Sequence, residues 1–545
     1  MARPSCDIVK ALPTSTRGGW IAGVLCAGLA VSAVIYTYRL DRVPAYLTLD
    51  EAHFSVHAAA LAETGRNLNG QLLPPLISLD DPEGEPLDLP WGSTYYLPFG
   101  MYLIAAALKV LPLTEAAVRT PSALLGGTIN VALIFAVGFA LFRNPLAAIA
   151  SASVLALAPA NVIISRQALD SVCQLPFILG GLWCLATYIR RPDPRLALLA
   201  GAILGCGIYA YITSTIFMPF YLALFWFISW RATVLDRRAF LLSIAGFALA
   251  LLPMALWLIA HPEAARSLQM QYNRADPGSA TLMQTLASGG AGAALSSTLR
   301  IYWSYFDPSF LFVQGGSARN LSTGDVGVFL FPVALLAPLG LYHLRSYRLV
   351  RLLVIIGLLA APLPAVIKGA PYAIQRASSL LIYVSLLSGI GLASLAASKQ
   401  VVARASAGLL VVLMAWQFTG FYREYHGAYR ASSGQAYDPT AFRDAADLVI
   451  ASDGQRAADA IYMPSNFYDA GAKWRFYAFS RDRRSLWHRT KYFADMAALG
   501  AAPANTIAVW PQTSTSAPPP TGWTIVGVVT NMMGEQTSAV IRRQP

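Results

Sequence analysis

Charged residues are scarce in this chain: Asp, Glu, Lys and Arg make up 12% of its 545 residues, against 56% hydrophobic. So little polar surface cannot cover a soluble globule of this size, and the chain belongs in a bilayer. Cysteine is scarce as well. The five (Cys6, Cys26, Cys173, Cys184 and Cys206) fall in the N-terminal tail or in apolar segments, with no C-x-x-C pair among them. Neither a disulfide framework nor a cysteine metal site is indicated. Acidic residues are outnumbered by basic ones, 28 to 40, leaving a net charge of +12. In a soluble protein that excess would suggest nucleic acid, but in a membrane protein Lys and Arg gather in cytoplasmic loops because they resist translocation. The excess is therefore assigned to topology, and no nucleic-acid partner is expected. No internal repeat is visible.

What the chain has in abundance is long apolar runs. Runs of spanning length occur near 19–38, 120–142, 145–164, 171–189, 196–212, 214–230, 239–260, 326–344, 350–368, 377–397 and 402–421, which gives eleven. Arg3, Lys10 and Arg17 precede the first, and its length favours an uncleaved helix over a signal peptide. A twelfth candidate, Tyr95 to Leu111, contains Pro98, Gly100 and Lys109. If it does not cross, the connections bearing Arg143, Arg190-Arg191-Arg195, Arg231-Arg237-Arg238, Arg345-Arg348-Arg351 and Lys399-Arg404 all lie on the cytoplasmic side; if it crosses, all lie outside. The first arrangement is preferred, so 95–111 is expected to be a juxtamembrane or re-entrant helix. Residues 39–119, 261–325 and the tail from Tyr422 are then the large outer segments.

Three outer constellations carry candidate chemistry. The first loop opens Leu49-Asp50-Glu51, on a stretch from Asp50 through Glu63 that reads as a helix. Its carboxylates either suit a helix start or act as an acid–base group. After the third span comes Ser165-Arg166, then Asp170; four residues apart, Arg166 and Asp170 would share a helix face and pair, yet charges at an apolar boundary are costly and point to function. Lys368 and Arg376 flank Gly369-Ala370-Pro371-Tyr372, two positive charges on the outer side, against the inside rule, where an anion would explain them. Sugar transfer from a lipid phosphate needs a base for the acceptor hydroxyl and positive charge for the departing phosphate. Asp50, with Glu51, supplies a base; Arg376, Lys368 or Arg166 could hold phosphate. Asp170 could join the first-loop carboxylates on a divalent cation, Mg or Mn.

Other signals have plainer readings. His53 and His57 have metal-ligand spacing but no third ligand nearby. Asp80-Asp81-Pro82-Glu83-Gly84-Glu85 reads as a solvated acidic turn. Trp303, Tyr305, Phe306 and Phe310 could stack on sugar or form an interfacial belt, and Arg319 in the same loop could reach a phosphate or a polar acceptor.

The order of first helix, Asp-Glu loop, outer amphipathic helix and a span ending in Ser165-Arg166 and Asp170 resembles the membrane-embedded C-type glycosyltransferases. Within them it is similar to the protein O-mannosyltransferase and lipid A aminoarabinose transferase group. Leu157-Ala158-Pro159, Tyr305 to Phe312, Gly315-Gly316 to Gly324 and Pro371-Tyr372 to Arg376 stand at matching places, across roughly residues 19 to 400. The resemblance implies an inverting transfer from an undecaprenyl- or dolichyl-phosphate sugar, with Asp50 as the catalytic base. Tyr372 stands where many members have His, so the resemblance leaves it a substrate contact alongside Tyr305. The tail shows no such resemblance.

The expectation is an all-α polytopic membrane protein of about 11 transmembrane helices with outer juxtamembrane helices, residues 1–421, and a small C-terminal α/β extramembrane domain, residues 422–545. It is a glycosyltransferase of the bacterial inner membrane. Its site and tail face the periplasm, its donor is a polyprenyl-phosphate sugar, and its acceptor is lipid A, another glycolipid, a polysaccharide or a protein. A flippase or transporter would need polar groups at mid-membrane depth; an O-antigen polymerase or ligase would lean on outer-loop Arg and His.

Overall fold

The computed structural model describes residues 18–82, 95–273, 280–316, 318–465, 467, 470–511 and 519–544. The basic N-terminal residues Arg3, Lys10 and Arg17, Cys6, and Glu83 to Glu85 of the acidic turn lie outside them. Among the described residues, seven helices are long and apolar enough to cross a membrane: Gly19–Thr37, Glu115–Phe142, Asp170–Arg190, Arg237–Ala260, Arg348–Lys368, Ser379–Ala396 and Val401–His426. The pair Pro145–Ala156 and Pro159–Ser165, bent by 58°, is long and apolar enough to make an eighth if its two helices form one span.

Two of the eleven expected runs form helices too short to cross. At 196–212 and 326–344 the helices are Pro194–Gly207 and Val333–His343, of 14 and 11 residues. At a rise of about 1.5 Å per residue neither spans the roughly 30 Å of hydrocarbon. At 214–230 the helix Ser214–Arg231 has 18 residues, within the range of a crossing. Phe99–Leu108 has ten residues, about half the length a crossing requires. It packs against the loop helix Leu49–Thr64.

Glycines set the closest helix approach. Pro194–Gly207 lies against Arg237–Ala260 through Gly201, Gly205 and Gly246; a Cβ on Gly201 would fall 1.9 Å from the Ser243 carbonyl oxygen, and one on Gly246 2.3 Å from that of Leu198. Small residues four apart let two apolar helices touch backbone to backbone, where dispersion replaces the missing hydrophobic drive. Elsewhere Gly126 and Gly127, in a π-helical turn Leu125–Ile129, make room for Ser165 and Tyr36. Asn161 Nδ2 bridges the Tyr36 hydroxyl and the carbonyls of Gly126 and Leu155, binding the bent pair to the first helix.

The basic connections collect at one end of the bundle. Arg190 donates to the Leu141 carbonyl and lies within electrostatic range of Arg143, and Arg231, Arg345, Arg348 and Arg351 line a single cavity. The loop helix 49–64 and the tail sit at the other end.

The tail is a five-stranded mixed sheet. Ala460–Pro464 is parallel to both Thr490–Phe493 and Thr506–Pro511, and the hairpin of Trp523–Thr530 and Gln536–Arg543 adds antiparallel to the latter. Its helices Phe442–Gln455 and Ala470–Ser480 pack against each other, and the second lies on helix 49–64. Arg475 of that helix pairs with Asp81, so the acidic turn is tied to the tail at this residue rather than wholly solvated. Arg484 pairs with Glu63, and the Tyr46 hydroxyl donates to Asp444 at 2.9 Å.

Substituting Gly201→Val should force the two packed helices apart, costing on the order of 1–3 kcal/mol and lowering the thermal unfolding midpoint in detergent. Gly408→Val, where a Cβ meets nothing within 4 Å, should leave it unchanged.

Candidate active site

The loop helix starts where its sequence dictates. Thr48 is the N-cap, accepting from the Glu51 amide, while the Glu51 carboxylate accepts from the Thr48 amide at 2.9 Å. That capping box satisfies two amides that the helix itself cannot, and it sets Asp50 in the first turn beside Glu51.

Glu51 is fully buried and belongs to a larger arrangement. Arg119, equally buried, places Nε 2.8 Å and Nη2 3.3 Å from its two oxygens, a bidentate pair. The other guanidinium hydrogens go to the carbonyls of Leu40, Pro44 and Tyr46, so all five donors are used. The two carboxylates of the loop, which lack a basic neighbour in sequence, thus divide: Glu51 is held by a cation 68 residues on. Glu51 Oε1 also accepts from the Ala168 amide at 2.9 Å, which draws the segment before Asp170 against the helix that carries Asp50. Glu115, 3.7 Å from Arg119, takes the Tyr477 hydroxyl at 2.8 Å and Arg443 at 3.4 Å from the tail. Burial and the nearby Glu115 carboxylate hold the Tyr477 phenol well above its usual range. Sequence reasoning missed Arg119 and Glu115. Their signal was an i,i+4 charge pair at the edge of an apolar run.

Arg166 is used differently from what was expected. Helix Pro159–Ser165 ends before it, and Asp170 opens a separate 3-10 turn, Asp170–Gln174, so the two do not share a helix face. The buried Arg166 guanidinium donates to the carbonyls of Ile35 and Tyr36 at 3.2 and 2.8 Å, and to those of Tyr38 and Val43 at 2.8 and 2.9 Å. It closes the C-terminal end of the first helix, where a cation offsets the helix dipole; a phosphate would have to compete with those four carbonyls.

Asp170 meets what the sequence separates. Asp50 and Arg376 both lie close enough for their charges to act on its carboxyl, one repelling and the other attracting its ionised form. Gly100, at the start of helix 99–108, brings that helix within ordinary contact of the Asp170 side chain. Gln174 then locks the turn: its Nε2 donates to Ser378 Oγ at 2.8 Å and its Oε1 accepts from Thr213 at 2.8 Å. Ser378 follows Arg376 by two residues, so this bridge holds the 3-10 turn Ile374–Arg376 beside 170–174.

The remaining candidates are more dispersed. Lys368 is buried at the end of helix Leu363–Lys368. Tyr305 and Phe310 are buried and pack edge to face, so neither belongs to an interfacial belt. The Tyr305 phenol accepts from the Ala373 amide and donates to the Ala370 carbonyl, which ties it to the 370–373 loop. Tyr372, with φ of 56°, is exposed and donates to Asp307 at 3.4 Å, and that carboxylate adds to burial in raising its phenol above the ordinary range. Arg319 folds back onto the Thr323 carbonyl. His53 and His57 point into the protein, and among the described residues no group of three His, Cys, Asp or Glu stands together for a metal.

Part of the chain matches a glycosyltransferase family, and its fold is shared with solved membrane glycosyltransferases. A model of the dolichyl-phosphate-mannose-protein mannosyltransferase family matches residues 93–257. The fold is that of ArnT from Cupriavidus metallidurans in the apo state, at 13% identity and a TM-score of 0.57, covering 96% of this chain and 98% of that one. The apo oligosaccharyltransferase of Archaeoglobus fulgidus is similar at 13% identity and a TM-score of 0.52, covering 87% of this chain and 64% of the other. The archaeal oligosaccharyltransferase AglB from Archaeoglobus fulgidus, solved with an inhibitory peptide and a dolichol-phosphate, gives 13% identity and a TM-score of 0.50, covering 86% of this chain and 64% of that one. No curated protein sequence matches significantly. Family match and fold together support a membrane glycosyltransferase of the C type.

Two outcomes follow. Glu51→Ala leaves the Arg119 charge buried without its carboxylate and should cost about 3–5 kcal/mol, read as loss of folded protein in detergent. Burial lowers His57 from 6.5 to about 3, so the folded chain keeps this ring neutral. Its contribution is complete above pH 6.5 and is lost as pH falls from 6.5 toward 3, by about 1.4 kcal/mol per pH unit. Between pH 7 and 5, His57→Gln should therefore lose less thermal stability than the wild type.

Proposed function

We propose that the chain moves a sugar from a polyprenyl-phosphate carrier to an acceptor hydroxyl, with inversion, at the end of the bundle that carries Asp50, Asp170 and Arg376. The observation that carries this reading is that Asp50 and Arg376 both come within electrostatic range of Asp170, the Glu51–Ala168 and Gln174–Ser378 hydrogen bonds holding their three segments together. Asp50 takes the proton as the acceptor oxygen bonds to the anomeric carbon. The bond from that carbon to the phosphate oxygen breaks, the carrier phosphate gains a negative charge, and Arg376 offsets it. Glu51 acts as a positioning residue, since its oxygens are already committed to Arg119, Thr48 and Ala168.

The dolichyl-phosphate donor in the matched family's name and the dolichol-phosphate in the AglB structure support a polyprenyl-phosphate carrier. The clustering of basic connections at the opposite end supports a periplasmic site under the positive-inside rule, in a bacterial inner membrane. A divalent cation would be held by Asp50 and Asp170. Two carboxylates without a third acidic or imidazole partner suit Mg or Mn, which keep waters and take phosphate oxygens, better than zinc. The ion would add positive charge beside the leaving phosphate. Lipid A, another glycolipid, a polysaccharide or a protein is the acceptor.

In a deletion strain, envelope lipids and glycans compared by mass spectrometry should lose one sugar mass that wild type restores. Asp50→Asn at equal membrane abundance should restore none, a loss of on the order of 10²–10⁴ in rate. Full restoration by Asp50→Asn would remove Asp50 as the base and favour a carrier transporter.

A further inference from the structure

At the end of the bundle away from Asp50 lies a cavity of about 840 Å³. Four arginines from three segments converge on it. Arg231 ends helix Ser214–Arg231, Arg345 lies in the turn Leu344–Ser346, and Arg348 and Arg351 open helix Arg348–Ala360. No carboxylate lines the cavity, and none of the four forms an ion pair with a described residue. Arg345 is held over the Tyr342 ring at 4.0 Å, a geometry that orders the side chain without neutralising it. The walls are apolar, with Leu341, Leu352 and Ile355 among them.

Retention of basic residues at this end explains their presence in the connections. It does not explain why four of them share one cavity with an apolar wall, nor why two begin a helix, where the dipole disfavours cations. A ligand with multiple negative charges and a hydrocarbon portion would relieve both. Basic pockets between membrane helices at this face suit lipid headgroups. We infer that the cavity between helices 214–231, 333–343 and 348–360 is a binding site for an anionic phospholipid whose headgroup carries two phosphates. The phosphates sit among Arg231, Arg345, Arg348 and Arg351, and the acyl chains run along the leucine wall. This site is separate from the transfer site and occupies the other leaflet.

The test uses the full chain purified in mild detergent, titrated with cardiolipin, phosphatidylcholine or sodium pyrophosphate and read by native mass spectrometry and thermal unfolding. Cardiolipin should be retained at least tenfold more than phosphatidylcholine and raise the unfolding midpoint. The double variant Arg345→Gln/Arg348→Gln, and separately Arg231→Gln, should lose that retention while keeping sugar transfer. Arg191→Gln/Arg195→Gln, at the same end but outside the cavity, should retain cardiolipin as wild type does. Equal loss in that control would reduce the effect to general attraction of a basic face. Equal retention of phosphatidylcholine, or pyrophosphate binding as tightly as cardiolipin, would overturn the lipid assignment.

Discussion

Arg119 is the residue on which the candidate site depends. A guanidinium removed from water at the edge of the membrane is tolerable only when its charge is paired and each hydrogen finds an acceptor. Here Glu51 takes two donors and three loop carbonyls take the rest. The loop after the first helix is thereby fixed to helix Glu115–Leu124. Because Glu51 also accepts from Ala168, the same interaction sets the spacing between Asp50 and Asp170. The tail joins through Glu115, so one buried charge network links the bundle, the loop and the sheet domain.

The two adjacent carboxylates illustrate how one local pattern divides into two roles. Glu51 has three kinds of partner and no exposed surface; Asp50, one residue earlier and about 100° round the helix, lies within electrostatic range of Asp170. Arginines divide in the same way. Arg119 and Arg166 serve backbone carbonyls in the interior, whereas the charge of Arg376 acts on Asp170. Burial is what separates these roles, since a fully enclosed guanidinium must satisfy itself within the protein before it can serve a ligand.

Much of the architecture was legible because it rests on local rules. Runs such as 239–260 and 402–421 are apolar over a bilayer's thickness, and helices form there. Helix 49–64 begins where Thr48 and Glu51 stand three apart, and strand stretches at 460–464, 506–511 and 523–530 show in β-branched and aromatic residues. The count of crossings was less legible, since hydropathy alone does not say where a helix stops: the runs at 196–212 and 326–344 form short helices, wedged among neighbours by glycines. The strands 490–493 and 536–543 depend for their pairing on partners up to 35 residues away.

The sequence by itself determined that this is a membrane protein, which segments are apolar, where the basic connections fall, and that Asp50, Asp170 and Arg376 are charges in places where charge is costly. Hydropathy and helix caps act over a few residues, so they can be read in order along the chain. Tertiary structure alone decided that Glu51 pairs with Arg119, that Arg166 closes the first helix, that Tyr305 is tied to the 370–373 loop, and that Asp50 and Arg376 come within electrostatic range of Asp170. Those facts depend on the path of the backbone between residues dozens to hundreds apart, and that path is set by the packing of the whole bundle.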